Sequence, residues 1–212
     1  MRDHPDVAIW DTGATSYPPP PFHPGETYPE YPHGEAIGGP NPVYAGVRGL
    51  LRSLDLGVGE YGTPDWSPLG KLVQAGNTVV VKPNFVISEH PKGRPGIEAA
   101  VVHASVLRPL VDYVLVALQG RGRILIADSP IKEVDFDKIV ELSGIAAVLE
   151  FYRGRLPAGV SLDLLDFRDA HVGRNSAGFM DEWAPLPGDP NGYTEVDLGK
   201  GSMFYEIAEP VS

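Results

Sequence analysis

The chain contains no cysteine. That absence excludes disulfides, thiolate zinc sites, cysteine nucleophiles and any iron–sulfur cluster held by the chain's own thiolates. Basic residues are also scarce: 17 Lys and Arg stand against 28 Asp and Glu, a formal charge of −11. A nucleic-acid binder needs clustered Lys and Arg to displace counterions, and an anionic membrane attracts the same residues, so neither partner is expected. No window approaches the ~18 uninterrupted apolar residues of a spanning helix. The opening Met1-Arg2-Asp3-His4-Pro5-Asp6 lacks the basic start and apolar run of a signal peptide. A cytoplasmic location is therefore the expectation.

What is present suits a folded domain. The 212 residues are 42% hydrophobic and 21% charged, enough apolar material for a real core in one α/β unit spanning the chain. Glycine (25) and proline (22) are plentiful, so much of the chain is loop. Between Ser16 and Pro42 nine prolines interleave with Tyr17, Phe22, Tyr28, Tyr31, His23 and His33. Proline fixes φ and removes N–H donors, so the stretch is neither helix nor central strand. Linkers are usually poor in aromatics, and four rings can pack this one onto a neighbouring surface. An ordered, extended arm over 16–42 is the reading adopted.

Regular elements follow from pattern. Val7-Ala8-Ile9-Trp10 reads as a buried strand ending in the turn Asp11-Thr12-Gly13. Asn41-Pro42 caps a helix running roughly from Pro42 to Leu54, and Ser67-Pro68 opens a short helix ended by Gly76. Thr78-Val79-Val80-Val81 is a β-branched run expected to be covered on both faces. A broad apolar stripe from Ala104 to Leu118 predicts a long helix, which feeds a second buried strand, Arg123 to Ala127. Asp135 caps a helix from Phe136 to about Leu142; beyond Gly144 lies another, Ile145 to Tyr152, and then a third strand, Val160 to Leu165. Strand and helix alternating in this way give a largely parallel sheet with flanking helices. Short alternating pieces such as Tyr193 to Leu198 predict irregular β structure at the C-terminal end.

In open parallel sheets ligands bind beyond the carboxyl ends of the strands. Those ends carry Asp11-Thr12, Lys82-Pro83-Asn84, Asp128-Ser129 and Asp166-Phe167-Arg168. Lys82, directly after a valine run, is expected to be partly desolvated and to grip phosphate or carboxylate with Asn84, or to act as a base. The competing reading is a lysine that snorkels to water above a turn. Asp128 can serve as base or metal ligand, with Ser129, Asp11 and Arg168 as substrate-binding groups. Asp128-Ser129-Pro130 is also ordinary turn chemistry. His103 opens the long helix and can hold a ligand or shuttle protons. The loop Ser88 to Gly96 has the composition of a lid or of solvated surface. His23 and His33, with Glu26, Glu30 and Glu35, match no rigid ligand spacing, so no metal site is expected, and no cofactor is indicated. Asp11-Thr12-Gly13-Ala14 matches the active-site string of retroviral-type aspartic proteases. Such enzymes need a second facing aspartate, and no second Asp-Ser/Thr-Gly occurs.

Several of these strings together resemble the domain of unknown function 362 family: Val79 to Val86, the helix Val106 to Leu118, Ile124 to Pro130 and the helix start at Asp135-Phe136. Pro18 to Pro24, Tyr28 to Pro32, Asn41 to Tyr44 and Gly188 to Tyr193 resemble a branch of it associated with polysaccharide-type gene neighbourhoods. The resemblance implies little about activity, since the family is largely uncharacterised. Many relatives carry a ferredoxin-like iron–sulfur module, which a chain without cysteine does not supply. Family members are usually longer, so a short member or a fragment is expected. Two functions are carried forward. One is a small-molecule metabolic enzyme, or part of one, taking an anionic substrate at the sheet edge. The other is a non-catalytic binding or assembly domain that meets a partner protein or a second copy of itself through its arm.

Overall fold

The fold is described from a computed structural model, over residues 7–14, 16–34 and 36–203. Glu35 and the opening hexapeptide lie outside the described residues. Helix α1 (Pro42–Ser53) starts where Asn41 Oδ1 accepts the Tyr44 N–H at 2.9 Å and Pro42 occupies the first turn, where its missing donor costs nothing. After a single 3₁₀ turn at Val58–Glu60 come strand β1 (Thr78–Val81), a short helix α2 (Arg94–Glu98) and the long helix α3 (Ala104–Leu118). Strand β2 (Arg121–Asp128), helices α4 (Phe136–Ser143) and α5 (Ile145–Tyr152) and strand β3 (Gly159–Asp166) complete the main layer. A hairpin of β4 (Ala170–Arg174) and β5 (Met180–Pro185) follows.

The three long strands lie in the order β1-β2-β3, all parallel, with Val80 opposite Leu125 and Leu125 opposite Asp163. When strands are laid down in sequence order, crossovers of one hand deliver every connecting helix to the same face. That is the arrangement here. Val79, Val81, Ile124, Ile126, Val160, Leu162 and Leu164 share one core with Leu107, Val111, Ile139, Ile145 and Val148 of α3, α4 and α5. The other face of the sheet carries Thr78, Val80, Arg123, Ser161 and Asp163 around a buried Leu125, and Arg123 Nε lies 3.1 Å from Asp163 Oδ2 across it. Val80 is 53% exposed, so β1 is an edge strand covered on one side rather than on both.

The arm carries no helix or strand and is held by two buried polar clusters. Glu30 takes Nε and NH2 of Arg48 at 2.6 and 3.2 Å and the Tyr113 hydroxyl at 3.0 Å. The Arg48 guanidinium also donates to the Tyr61 hydroxyl and lies over the rings of Tyr28 and Tyr61. In the second cluster Asp112 accepts from Tyr44 (2.9 Å), Tyr152 (2.6 Å), Arg108 Nε (3.1 Å) and His33 Nε2 (2.8 Å). Arg108, fully buried, also donates to Pro21 O and the Tyr31 hydroxyl. Burial pushes the Tyr28 phenol up to about 12 and raises Tyr31, Tyr44, Tyr113 and Tyr152 as well. Phe22 sits against the α4–α5 joint, where Gly144 adopts φ 80° and a Cβ would lie 3.0 Å from its ring. The rings of Phe22, Tyr28 and Tyr31 are thus spent on the domain itself.

Four expectations are corrected. Val7 to Trp10 forms no strand, and Val7 and Ile9 are exposed; Trp10 instead lays its ring on α1, where a Cβ at Gly46 or Gly49 would stand 2.9 or 2.5 Å from it. Ser67 to Gly76 is a chain of turns, not a helix. Gly70 removes the helical bias, and Leu69 and Val73 reach the core from a single α-turn, Val73 N–H to Leu69 O at 2.8 Å. Among the described residues Tyr193 to Leu198 joins no strand ladder, and the Tyr193 hydroxyl instead donates to Phe167 O; the C-terminal β structure described is the earlier β4–β5 hairpin. The fourth correction is the exposed side of β1.

Candidate functional site

The carboxyl rim of the sheet holds most of the singled-out groups. Lys82 follows β1 and Asp128 ends β2, and Lys82 Nζ lies 2.8 Å from Asp128 Oδ1. Asp128 is buried and heavily engaged: Oδ2 accepts the Phe85 N–H at 2.7 Å and Oδ1 the Ser129 N–H at 2.9 Å. It therefore ties the loop after β1 to the end of β2 and steers the lysine. The Lys82 side chain is 61% exposed, which corrects the expectation of a desolvated lysine, and its ammonium also donates to Pro83 O at 3.2 Å. Asn84 and Ser129 are exposed beside it.

Arg168 sits elsewhere on the rim and is buried in structural contacts. It is 3% exposed, clasps Asp166 through Nε and NH2, and gives NH1 to the carbonyls of Ile131, Lys132 and Val134. It staples the β2–α4 loop to β3. Asp11 also leaves the set. It is exposed in the loop before the arm, where Oδ1 accepts the Gly13 N–H at 2.8 Å, and it belongs to no strand. The protease reading needs that aspartate on a rigid strand facing another, and this placement supplies neither.

His103 caps α3, its Nδ1 accepting the Ser105 N–H at 3.2 Å with Ser105 Oγ at 3.0 Å. Val102 N–H donates to Asn84 O at 3.1 Å, so the histidine leaves the rim one residue beyond that junction. It lines a cavity of about 870 Å³ between the arm and the helix layer, with Tyr17, Arg94, Glu98 and Glu141. Lys82, Asn84, Asp128 and Ser129 do not line it. Burial, with the Arg94 charge helping and Glu98 opposing, lowers the His103 pKa and keeps the ring neutral. The candidate residues are therefore divided between an open rim and a roofed cavity.

The supposed metal residues are dispersed: Glu30 pairs with Arg48 and His33 with Asp112, while the His23 ring packs edge-on against Phe151. Among the described residues no three His, Asp or Glu side chains gather in a metal-holding group. The loop from Ser88 to Gly96 is tied to α4, through Asp135 N–H to Ser88 Oγ and Lys138 Nζ to Glu89. Sequence reasoning passed over Arg94 and Glu98, and likewise Arg108 and Asp112. Both pairs are spaced i,i+4 on helices, and that spacing was their available signal.

Fold and rim define an α/β domain whose parallel strands end in polar, solvent-facing groups. Residues 79–182 match the model of the family described as Domain of unknown function (DUF362). That segment runs from β1 into β5 and includes Lys82, Asn84, His103, Asp128, Ser129 and Arg168, whereas Asp11, the arm and α1 precede it. No curated protein and no solved structure matches the chain.

Proposed function

We propose that the protein binds a small anionic molecule at the carboxyl rim of its parallel sheet, as a cytoplasmic enzyme of small-molecule metabolism or the binding part of one. The observation that carries this reading is the Lys82–Asp128 pair. A cation stands at a strand end with its ammonium fixed at 2.8 Å from a carboxylate, yet the side chain is 61% exposed. Asp128 shares its charge among two backbone donors and the lysine, which leaves Lys82 positive charge for a ligand. Asn84 and Ser129 supply neutral polar groups beside it. Asp128 positions the lysine in this reading, and the base or metal-ligand role assigned to it from sequence is not retained.

The test is thermal stabilisation by inorganic phosphate, sugar phosphates, nucleotides and small carboxylates. A ligand at 100 times its Kd adds about 2.7 kcal/mol to the folded state. The Lys82→Ala protein should still fold, with a somewhat lower melting temperature because Asp128 loses its cation, and should lose the ligand-induced rise. No shift with any of these probes, or the same shift in the variant, rejects the proposal.

One observation favours a second reading, an assembly domain. All-parallel sheets are normally covered on both faces, and here the face bearing Val80 is partly open. Light scattering that finds a dimer in the wild type and a monomer in Val80→Lys supports assembly through that face; a wild-type monomer removes it.

A further inference from the structure

The cavity beneath the arm has a chemistry of its own. Along one side it is lined by Thr12, Ala14, Ser16 and Tyr17, while Trp10 lies on the glycines of α1 and Phe22 against Gly144. Its floor is the platform of His103. That imidazole is fixed on two sides, by the Ser105 bonds to Nδ1 and by the edge of Phe22, with ring centroids 5.2 Å apart. On its open face the Tyr17 ring lies parallel, with centroids 3.8 Å apart and planes 5° from each other. Tyr17 itself is 44% exposed. The stack thus joins a rigid platform to a lightly held ring, and it shows directly what the platform accepts: a flat phenol.

The charge around the seat is equally specific. Arg94 Nε is 2.7 Å from Glu98 Oε1, so those two neutralise each other on one lip. Glu141 lies on the lining without an ion pair among the described residues. One guanidinium against two carboxylates leaves the cavity with a net negative charge, provided His103 is neutral, as its acceptor role toward Ser105 requires. An anion is repelled there and an ammonium attracted. The volume of about 870 Å³ lies in the range of small-molecule sites.

We propose that this cavity is a second binding site, separate from the Lys82 rim, for a small molecule that joins a planar aromatic ring to a protonated amine. The ring stacks on His103 in the place Tyr17 now holds, and the amine faces Glu141. Tyr17 is then an intramolecular competitor for its own site. Its removal raises the fraction of protein ready to bind, and with it the apparent affinity.

The proposal is tested by calorimetry on the full chain with tyramine, a phenol carrying a primary amine. Tyramine should bind, and Tyr17→Ala should bind it about three- to tenfold tighter, the range expected from loss of one aromatic stack. His103→Asn keeps an N-cap acceptor for Ser105 but offers no ring face, and should lose most of the binding while remaining folded. Glu141→Gln should weaken tyramine several-fold and leave p-cresol, which has no amine, unaffected. Lys82→Ala should leave tyramine binding unchanged, so failure of the rim proposal and failure of this one are told apart. Absence of tyramine binding to Tyr17→Ala overturns the site. Equal affinity in wild type and Tyr17→Ala, or tighter binding of 4-hydroxyphenylacetate than of tyramine, overturns it also.

Discussion

At the scale of single residues, the environment decides how much of a side chain's chemistry is left over. Asp128 and Arg168 are polar residues at strand ends, where substrates are commonly gripped, yet their hydrogen bonds go to groups of the domain itself: backbone N–H groups and Lys82 for Asp128, backbone carbonyls and Asp166 for Arg168. Lys82, on the same rim, pairs with Asp128 but keeps most of its side chain exposed. A sequence displays residue type and position but not whether the acceptors are already taken, so the three looked alike. His103 was legible as a helix-entry histidine, and it is one. Its titration gives a test. Burial lowers its pKa below the ordinary 6.5, so the unfolded chain takes up a proton more readily than the folded one. Stability from this group is therefore complete above about pH 6.5 and is lost as the pH falls through the lower folded value. Burial lowers His23 as well, and it adds a loss of the same sign. Thermal melts between pH 7.5 and 5 should show a falling midpoint. His103→Asn, which caps without titrating, should show a shallower fall than wild type. Parallel curves would mean that His103 is protonated without cost and that its cap does not depend on the neutral ring.

At the scale of elements, the arm was legible as ordered because its prolines forbid regular structure while its rings demand burial. How it is held was not legible. The apolar stripe of α3 could be read residue by residue, but Arg108 and Asp112 interrupt that stripe, and only the fold shows that they face inward. There they meet a tyrosine and a histidine of the arm, a tyrosine of α1 and another of α5. Buried ions are tolerated when every lone pair and proton is answered, and breaking such a set by removing one member strands the other charge. Asp112→Asn leaves the Arg108 guanidinium, fully buried, without its carboxylate. The expected cost is about 3–5 kcal/mol, read as a lower urea midpoint with unchanged slope. A cost under about 1 kcal/mol would show that the carboxylate is dispensable and that the rings alone secure the arm. The failed helix after Ser67 and the failed strand at Val7 share one cause. Local signals for both were present, a cap with proline and an apolar run, but one segment spends its apolar residues on the core from turns and the other lays Trp10 on α1, so neither completes its regular element.

At the scale of the whole molecule, strand order controls which surfaces remain. Alternation of strand and helix could be read from the sequence, and so could the common direction of the three strands. Their spatial order could not, since the same alternation also suits a doubly wound sheet with helices on both faces. With the order β1-β2-β3 every helix packs on one side, and a β-branched run that looked like a central strand becomes an edge with one face partly open. Neighbouring positions in the sheet should therefore respond unequally to truncation. Ile126 is fully buried in the shared core, and its replacement by alanine should cost about 2–5 kcal/mol through lost transfer energy and the cavity left behind. Val80, one strand away, points to the opposite face at 53% exposure, and Val80→Ala should stay within about 0.5 kcal/mol. Chemical denaturation of the two variants at micromolar concentration measures the difference. If Val80→Ala instead costs as much as a core truncation, and the cost shrinks as the protein is diluted, the outer face is buried between molecules. Mass action then makes assembly part of the fold's stability, and the partly open sheet becomes an interface rather than a surface.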